Sequence, residues 1–274
     1  MSNTNIASDA AIVESKIAFN TSTGHDHDGT DSKLIVVGAY HFIEGAELIY
    51  DTAATFHANP GVVELNGTLL SRTSASTTRS LATAGDWVQG DESASEWVYA
   101  YAYNDSGTSW DIKLSDQPPL YYDCNTGHTV GVLRYRDFAS VWYRCIGAVR
   151  NDGSSNILKF YQDGDWITYD VPQNLLNNGT ALTWTDVDCS PYVPSFCQLI
   201  QIFVASGATA GYVRPNGSSW GKTAANTDSI WTNSSDSHIL TIHTDSSQII
   251  EYVQAATADN EDIRLISYYV GAIR

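Results

Sequence analysis

The sequence predicts an all-β fold, and three observations carry that prediction. From Trp87 onward, short apolar stretches recur about every 8 to 15 residues between polar turns, the pattern of a sandwich or jelly roll. No amphipathic helix of useful length interrupts the series. The composition agrees: aromatics make up 11% of the 274 residues and charged side chains only 16%, with 16 Tyr and 8 Trp against a single Met. Aromatic and β-branched residues fit a pleated surface, whereas the abundant Ser, Thr, Asn and Gly fit turns. A chain of this length buries a sizeable core without disulfides or metals.

The regions follow in order. An N-terminal segment covers residues 1–38, a small β region 39–85, and a distal β-sandwich or jelly roll 86–274. In the first, Asn5 to Lys16 fits a short helix with Ile6, Ala10, Val13 and Ile17 near one face, marginal alone and stable when packed. The apolar run Leu34-Ile35-Val36-Val37 closes that segment. In the second, Asn59-Pro60-Gly61 is a turn signal, and Val62 to Leu65 and Thr68 to Leu70 flank Asn66-Gly67, a strong hairpin signal. Ser71 to Ser80 reads as a linker or a surface strand.

In the third region, Trp97 to Tyr103 alternates large and small residues, and Asn104-Asp105-Ser106-Gly107 turns the chain. Val141 to Arg150 is a long strand ending at Asn151-Asp152-Gly153. Ile157 to Gln162 and Trp166 to Tyr169 flank Asp163-Gly164-Asp165, a second hairpin. Leu199 to Ala205, Ile239 to His243, Ile249 to Val253 and Ile263 to Ile273 continue the series. Ile146-Gly147-Ala148-Val149-Arg150 echoes Val270-Gly271-Ala272-Ile273-Arg274, which reads as two strands built on one core geometry.

With 31 acidic and 14 basic residues, the formal net charge is −17. Such a field repels nucleic acid and anionic membrane surfaces. No stretch approaches the roughly 18 to 20 apolar residues of a membrane span. The sequence therefore predicts neither nucleic-acid binding nor membrane insertion. Met1-Ser2-Asn3-Thr4-Asn5 lacks the basic start and apolar run of a secretory signal. The cysteines, Cys124, Cys145, Cys189 and Cys197, form no C-x-x-C, which argues against structural zinc. Free thiols are expected, with a Cys189–Cys197 bridge left open.

The densest chemistry lies in Gly24-His25-Asp26-His27-Asp28-Gly29-Thr30-Asp31-Ser32-Lys33. His25 and His27 stand one residue apart, so an extended backbone aims both imidazoles to one side. Three such chains side by side direct six nitrogens at one axis, enough for a six-coordinate transition metal. Other readings stay open. The patch also fits a solvated loop. Asp26, Asp28 and Asp31 are hard calcium ligands, but the spacing misses the calcium-loop pattern. A catalytic zinc would need a third ligand from His41, His57 or His128.

Three stretches resemble phage and prophage tail-fibre proteins. Phe19 to Gly29 is similar to the Gly-His-x-His-Asp-Gly segment near fibre N-termini. Asn59 to Gly67 resembles a β segment that follows in many fibre chains, and Tyr143 to Asp152 resembles the Tyr-Arg-x-Ile-Gly-x-Val strand of their distal domains. The resemblance implies a homotrimer, an N-terminal virion-attachment segment that meets tail, baseplate or capsid proteins, and a distal β domain. It also implies that His25 and His27 hold one iron-type metal ion per trimer, or form an unmetallated turn. Virion localisation, after assembly in a host cytoplasm, follows.

For the distal domain, an enzyme reading lacks a constellation. There is no G-x-S-x-G, H-E-x-x-H, phosphate loop or G-x-G-x-x-G. A carboxylate pair of a polysaccharide-degrading spike has no sequence signature of its own. Glycan binding has more support, because Trp and Tyr offer flat apolar faces with polar tips. The candidate turn aromatics are Trp110, Trp166, Trp184, Trp220 and Trp231, and Trp220 and Trp231 lead because their loops are Gly- and Ser-rich. The expectation is a non-enzymatic tail fibre that contacts a host-surface glycan or protein. A capsid or head fibre, or a decoration protein with a purely structural role, is the alternative.

Overall fold

Trp97–Asn104 is the strand on which much of the molecule is built. Its alternation separates Tyr99 and Tyr101 from Val98, Ala100 and Ala102, yet residues 98–102 are all buried, so both faces are covered. The structure, a computed structural model, describes residues 42–65, 68–105, 107–121, 133–138, 141–207, 210–219, 221, 230–232, 236–256, 260–271 and 273. The expected N-terminal helix and the His25/His27 patch lie outside these residues. Residues 43–274 form one compact unit. Among the described residues the fold is all-β, and the helical content is a single 3₁₀ turn at Ala84–Asp86.

Two three-stranded sheets come first. One is ordered β1 (Ile43–Gly45), β4 (Gly61–Leu65), β5 (Thr68–Arg72), and the other β2 (Leu48–Thr52), β3 (Thr55–Ala58), β6 (Arg79–Ser80). Leu65 pairs with Thr68, so the expected hairpin forms, although its two turn residues lie outside the described set. Asn59-Pro60-Gly61 carries the chain from one small sheet to the other, with Ala46 N–H donating to the Pro60 carbonyl at 3.2 Å.

A six-stranded sheet follows in the order β10 (Leu120–Tyr121), β11 (Leu133–Phe138), β12 (Val141–Arg150), β8 (Trp97–Asn104), β9 (Trp110–Ser115), β7 (Trp87–Gln89). Only its β7–β9 pair is parallel among the described ladders. The last two sheets face each other as a sandwich. One is ordered β13 (Phe160–Asp163), β14 (Trp166–Gly179), β21 (Glu261–Tyr269), β16 (Leu199–Ser206), β19 (Ser237–His243). The other is β15 (Thr185–Asp188), β20 (Ile249–Gln254), β17 (Gly211–Pro215), β18 (Ile230–Thr232). Ile200, Ile202, Val204, Ile263 and Leu265 from the first join Val187, Val213, Ile250 and Tyr252 from the second in one apolar core. Tyr268 ties the sandwich to the six-stranded sheet, donating its hydroxyl to the Ala148 carbonyl at 2.7 Å.

Buried charges brace the small sheets. Arg144 of β12 and Glu64 of β4 are almost fully buried and lie 3.1 Å apart, with Arg144 also donating to the Glu64 carbonyl. Ser71 to Ser80 is a largely exposed connection between the two small sheets, as its composition suggests, but Ser76 and Arg79 within it are buried. Its two ends finish β5 and form β6, and its middle is pinned by side chains. Ala58 N–H donates to Ser76 Oγ at 2.8 Å, Thr77 donates twice to Asp111, and Arg79 bridges Asp111 and Asp86 at 2.7 and 3.0 Å. Ser76 and Arg79 are buried within this otherwise exposed stretch because a backbone N–H and two carboxylates partner them.

Three further expectations are corrected. Trp110 is not a turn aromatic: it is fully buried in β9 and its indole N–H donates to the Gly61 carbonyl at 3.0 Å. The five-residue echo is not two strands, because 146–150 lies in β12 whereas the chain leaves β21 at Tyr269 and turns, Ile273 N–H returning to the Val270 carbonyl. The strand that begins at Trp166 does not stop at Tyr169. It runs to Gly179, accommodating Pro172 where its register with β21 shifts between Thr168 and Gln173.

Candidate functional site

The outward side of the five-stranded sheet is assembled by pleat and register. Successive residues alternate sides, so each inward core residue leaves an outward neighbour, and paired residues share a side. Inward Ile200, Ile202, Ile263 and Leu265 therefore set outward Gln201, Phe203 and Arg264. Three rows result. Asp163, Trp166 and Tyr269 lie across β13, β14 and β21. Tyr161, Thr168, Ser267, Gln201 and Thr241 cross all five strands. Asn174, Arg264, Phe203 and Ile239 cross from β14 to β19. At roughly 4.8 Å between strands, the face is about 19 Å wide.

Aromatic rings gather at one end. Trp166 and Tyr269 have centroids 5.2 Å apart, and Tyr269 donates its hydroxyl to Asp165 at 3.2 Å. Burial first, then the Asp165 charge, raises the Tyr269 phenol above its ordinary value, so it stays a neutral donor. The hairpin that carries Tyr161 turns through Gly164, whose φ of +55° a glycine adopts without strain. Tyr161 is 55% exposed. Its hydroxyl donates to Asp170 at 2.7 Å, and Lys159 Nζ donates to the same carboxylate oxygen at 3.2 Å while lying 5.3 Å from the Tyr161 ring. The Tyr161 hydroxyl and then Asp170 raise the Lys159 ammonium, while Tyr161 and then Lys159 lower the Asp170 carboxyl.

Two hollows flank this platform. One, of about 220 Å³, lies at the β13 edge between Tyr50 of β2 and Lys159 and Tyr161; there Gln162 Oε1 accepts from Leu48 N–H at 2.8 Å. The other is a groove of about 320 Å³ lined by Pro172, Phe203, Ile239, Arg264 and Ile266. Ile239 and nearby Val171 are each 66% exposed. Together the face offers flat rings, hydroxyl and amide groups, a charged pair and an apolar groove with one guanidinium. Flat rings beside hydroxyl and amide groups have the chemistry to stack on sugar rings and hydrogen-bond sugar hydroxyls.

The opposite side of the sandwich holds the neighbours of one sequence-predicted residue. Trp231 is not in the expected loop: it lies in β18, where its backbone pairs with Tyr212, and Tyr212 pairs with Val253. Beside them Arg214 lies 4.0 Å from the centroid of half-buried Trp184 and donates from Nε to Glu251 at 2.8 Å. Glu251 also accepts from Gly217 N–H at 3.0 Å, and Asn216 donates to Asp245 at 2.6 Å, so the start of the loop leading to Trp220 is tied down. Burial works against the Asp245 charge, but donors from Ile249, Asn216 and Ser247 outweigh it and lower its pKa. Trp220, His25 and His27 lie outside the described residues.

The sequence reading missed the platform itself: of its members only Trp166 was singled out. The signal was the alternation in Ile263 to Tyr269 and in Tyr161 to Gln162, but which strands lie side by side is not written in either. Cys145, Cys189 and Cys197 are buried free thiols, so the Cys189–Cys197 bridge is not formed. Burial pushes the Cys189 thiol up to about 12 and raises the other two as well, which leaves them unreactive. His57 Nδ1 lies 2.9 Å from both oxygens of Asp51. Among the described residues, no cluster of three or more His, Cys, Asp or Glu side chains is placed to hold a metal, and no helix is long and apolar enough to cross a membrane.

No protein-family model matches the chain, and no curated protein matches it.

Proposed function

We propose that this chain is a structural protein of a phage virion, a non-enzymatic tail fibre whose β-sandwich contacts a glycan on the host surface. The observation that carries the reading is the open face of the five-stranded sheet, where Tyr161, Trp166 and Tyr269 stand beside hydroxyl and amide side chains. The Gly-His-x-His-Asp-Gly segment supports assigning attachment to the N-terminal end. A net charge of −17 suits display at high local density, because it resists non-specific association.

The same reading makes the protein a homotrimer with its axis near His25 and His27, holding up to one iron-type ion. Sugar contacts are individually weak, and several copies per particle raise avidity by about 10² to 10⁴. Trp220 and Trp231 are a second proposed contact; the Trp231 backbone belongs to β18 of the four-stranded sheet. The test is particle adsorption together with a glycan array probed by the purified protein. Tyr161→Ala with Trp166→Ala should abolish array signal while trimer mass is retained. Exposed Ile239 and Val171 equally suit a contact with another virion protein, as in a capsid decoration role. Unchanged adsorption with this face buried in the intact particle, seen by electron microscopy, would put that second reading first.

A further inference from the structure

Every other arginine whose side chain is described faces a carboxylate or an aromatic ring. Arg264 does not. It is exposed on β21 and, among the described residues, makes no ion pair and is the only charged side chain lining the 320 Å³ groove. In a chain with 31 acidic residues and 14 basic ones, a guanidinium left without a carboxylate stands apart. Its surroundings sharpen its preference. Phe203, Ile239, Ile266 and Pro172 surround this exposed guanidinium with apolar atoms, so a charge-assisted hydrogen bond can form beside an apolar contact. The planar fork of arginine matches a carboxylate with two parallel bonds. Asn174 pairs with Arg264 across the ladder and adds an amide at the groove's rim.

We infer that this face takes an anionic oligosaccharide, with Arg264 receiving a sugar carboxylate and the surrounding apolar groove receiving the N-acetyl or deoxy methyl group of the same sugar. The inference rests on the glycan reading above and names the class of glycan. Arg264 and Tyr269 are five positions apart on β21, about 16 Å at ~3.3 Å per residue, so the aromatic platform and the groove engage different sugars of one chain. The net charge of −17 opposes a polyanion at long range, so recognition must come from contacts within the face.

The experiment is an array of short acidic, N-acetylated oligosaccharides, each printed beside its carboxyl-reduced form, probed with the full-length protein. The expected result is that the acid form binds about ten-fold or more tightly than its reduced partner. Arg264→Gln should erase that preference, Arg264→Lys should retain part of it, and Phe203→Ser should weaken both forms of N-acetylated ligands. Thermal melts of each variant establish that the fold is kept. Equal binding of acid and reduced forms, or a preference that survives Arg264→Gln, overturns the role of Arg264 while leaving the glycan reading. Silence across the whole array from a folded protein removes the glycan reading itself.

Discussion

On the four-stranded sheet, a central group of side chains that point away from the core is tied down: Glu251 holds Arg214 and the Gly217 N–H, Arg214 covers Trp184, and Tyr212 and Val253 are buried. On the five-stranded sheet, Tyr161, Arg264 and Ile239 occupy equivalent outward positions and remain open to solvent. The two faces draw on the same residue types. One consumes its hydrogen-bonding and stacking capacity internally and so contributes to stability. The other spends part of that capacity on its own pairs, Tyr161 with Asp170 and Tyr269 with Asp165, and leaves Arg264 and Ile239 exposed.

Substitutions should separate the two faces. The largest effect is expected for Glu251→Ala, which removes the carboxylate that holds a largely buried Arg214 and a loop N–H. We predict a loss of about 2–4 kcal/mol in chemical denaturation; a loss below about 1 kcal/mol would mean that this face is not self-supporting. Trp184→Ala should cost less, about 1–2 kcal/mol, from the cation–π contact and part of a ring's burial. On the open face, Tyr161→Ala and Ile239→Ser should each change stability by no more than about 0.5 kcal/mol. Their consequence should appear in glycan binding instead, and a large stability loss there would show that the face is structural.

The smallest effect should come from pH. The lowered pKa of Asp170 means its pair with Lys159 persists above the ordinary carboxylate range and is lost as pH falls through the depressed value. The raised pKa of Lys159 means the pair persists below the ordinary lysine range and is lost as pH rises through the elevated value. Between about pH 4 and pH 10, ligand binding should therefore be flat as far as this pair is concerned. A titration-dependent step in binding near neutrality, surviving in Asp170→Asn, would point to another group.

Much of the strand series was legible because turn chemistry and alternation are local. Val141–Arg150 matches its predicted bounds, and Asn66-Gly67 and Asp163-Gly164-Asp165 each mark a hairpin. What was not legible depends on partners distant in sequence. Trp110 read as a turn residue because Ser and Gly precede it, yet it is held by the Gly61 carbonyl, 49 positions away. Ser76 and Arg79 read as surface because Ala58 and Asp111, which partner them, come from other strands. The open face was missed for the same reason. Arg264 and Tyr161 become neighbours of Phe203 and Thr168 only through sheet order.

The register shift in β14 also bears on how this protein changes over time. Between Thr168 and Gln173 the strand leaves its ladder with β21, and Val171 and Pro172 project where no core residue depends on them. Residues inserted or exchanged there alter the rim of the groove without moving Ile167, Tyr169 or the strands beneath. A recognition surface built around such a bulge can drift to a new ligand by small edits, while the scaffold that carries it stays under its own, separate selection.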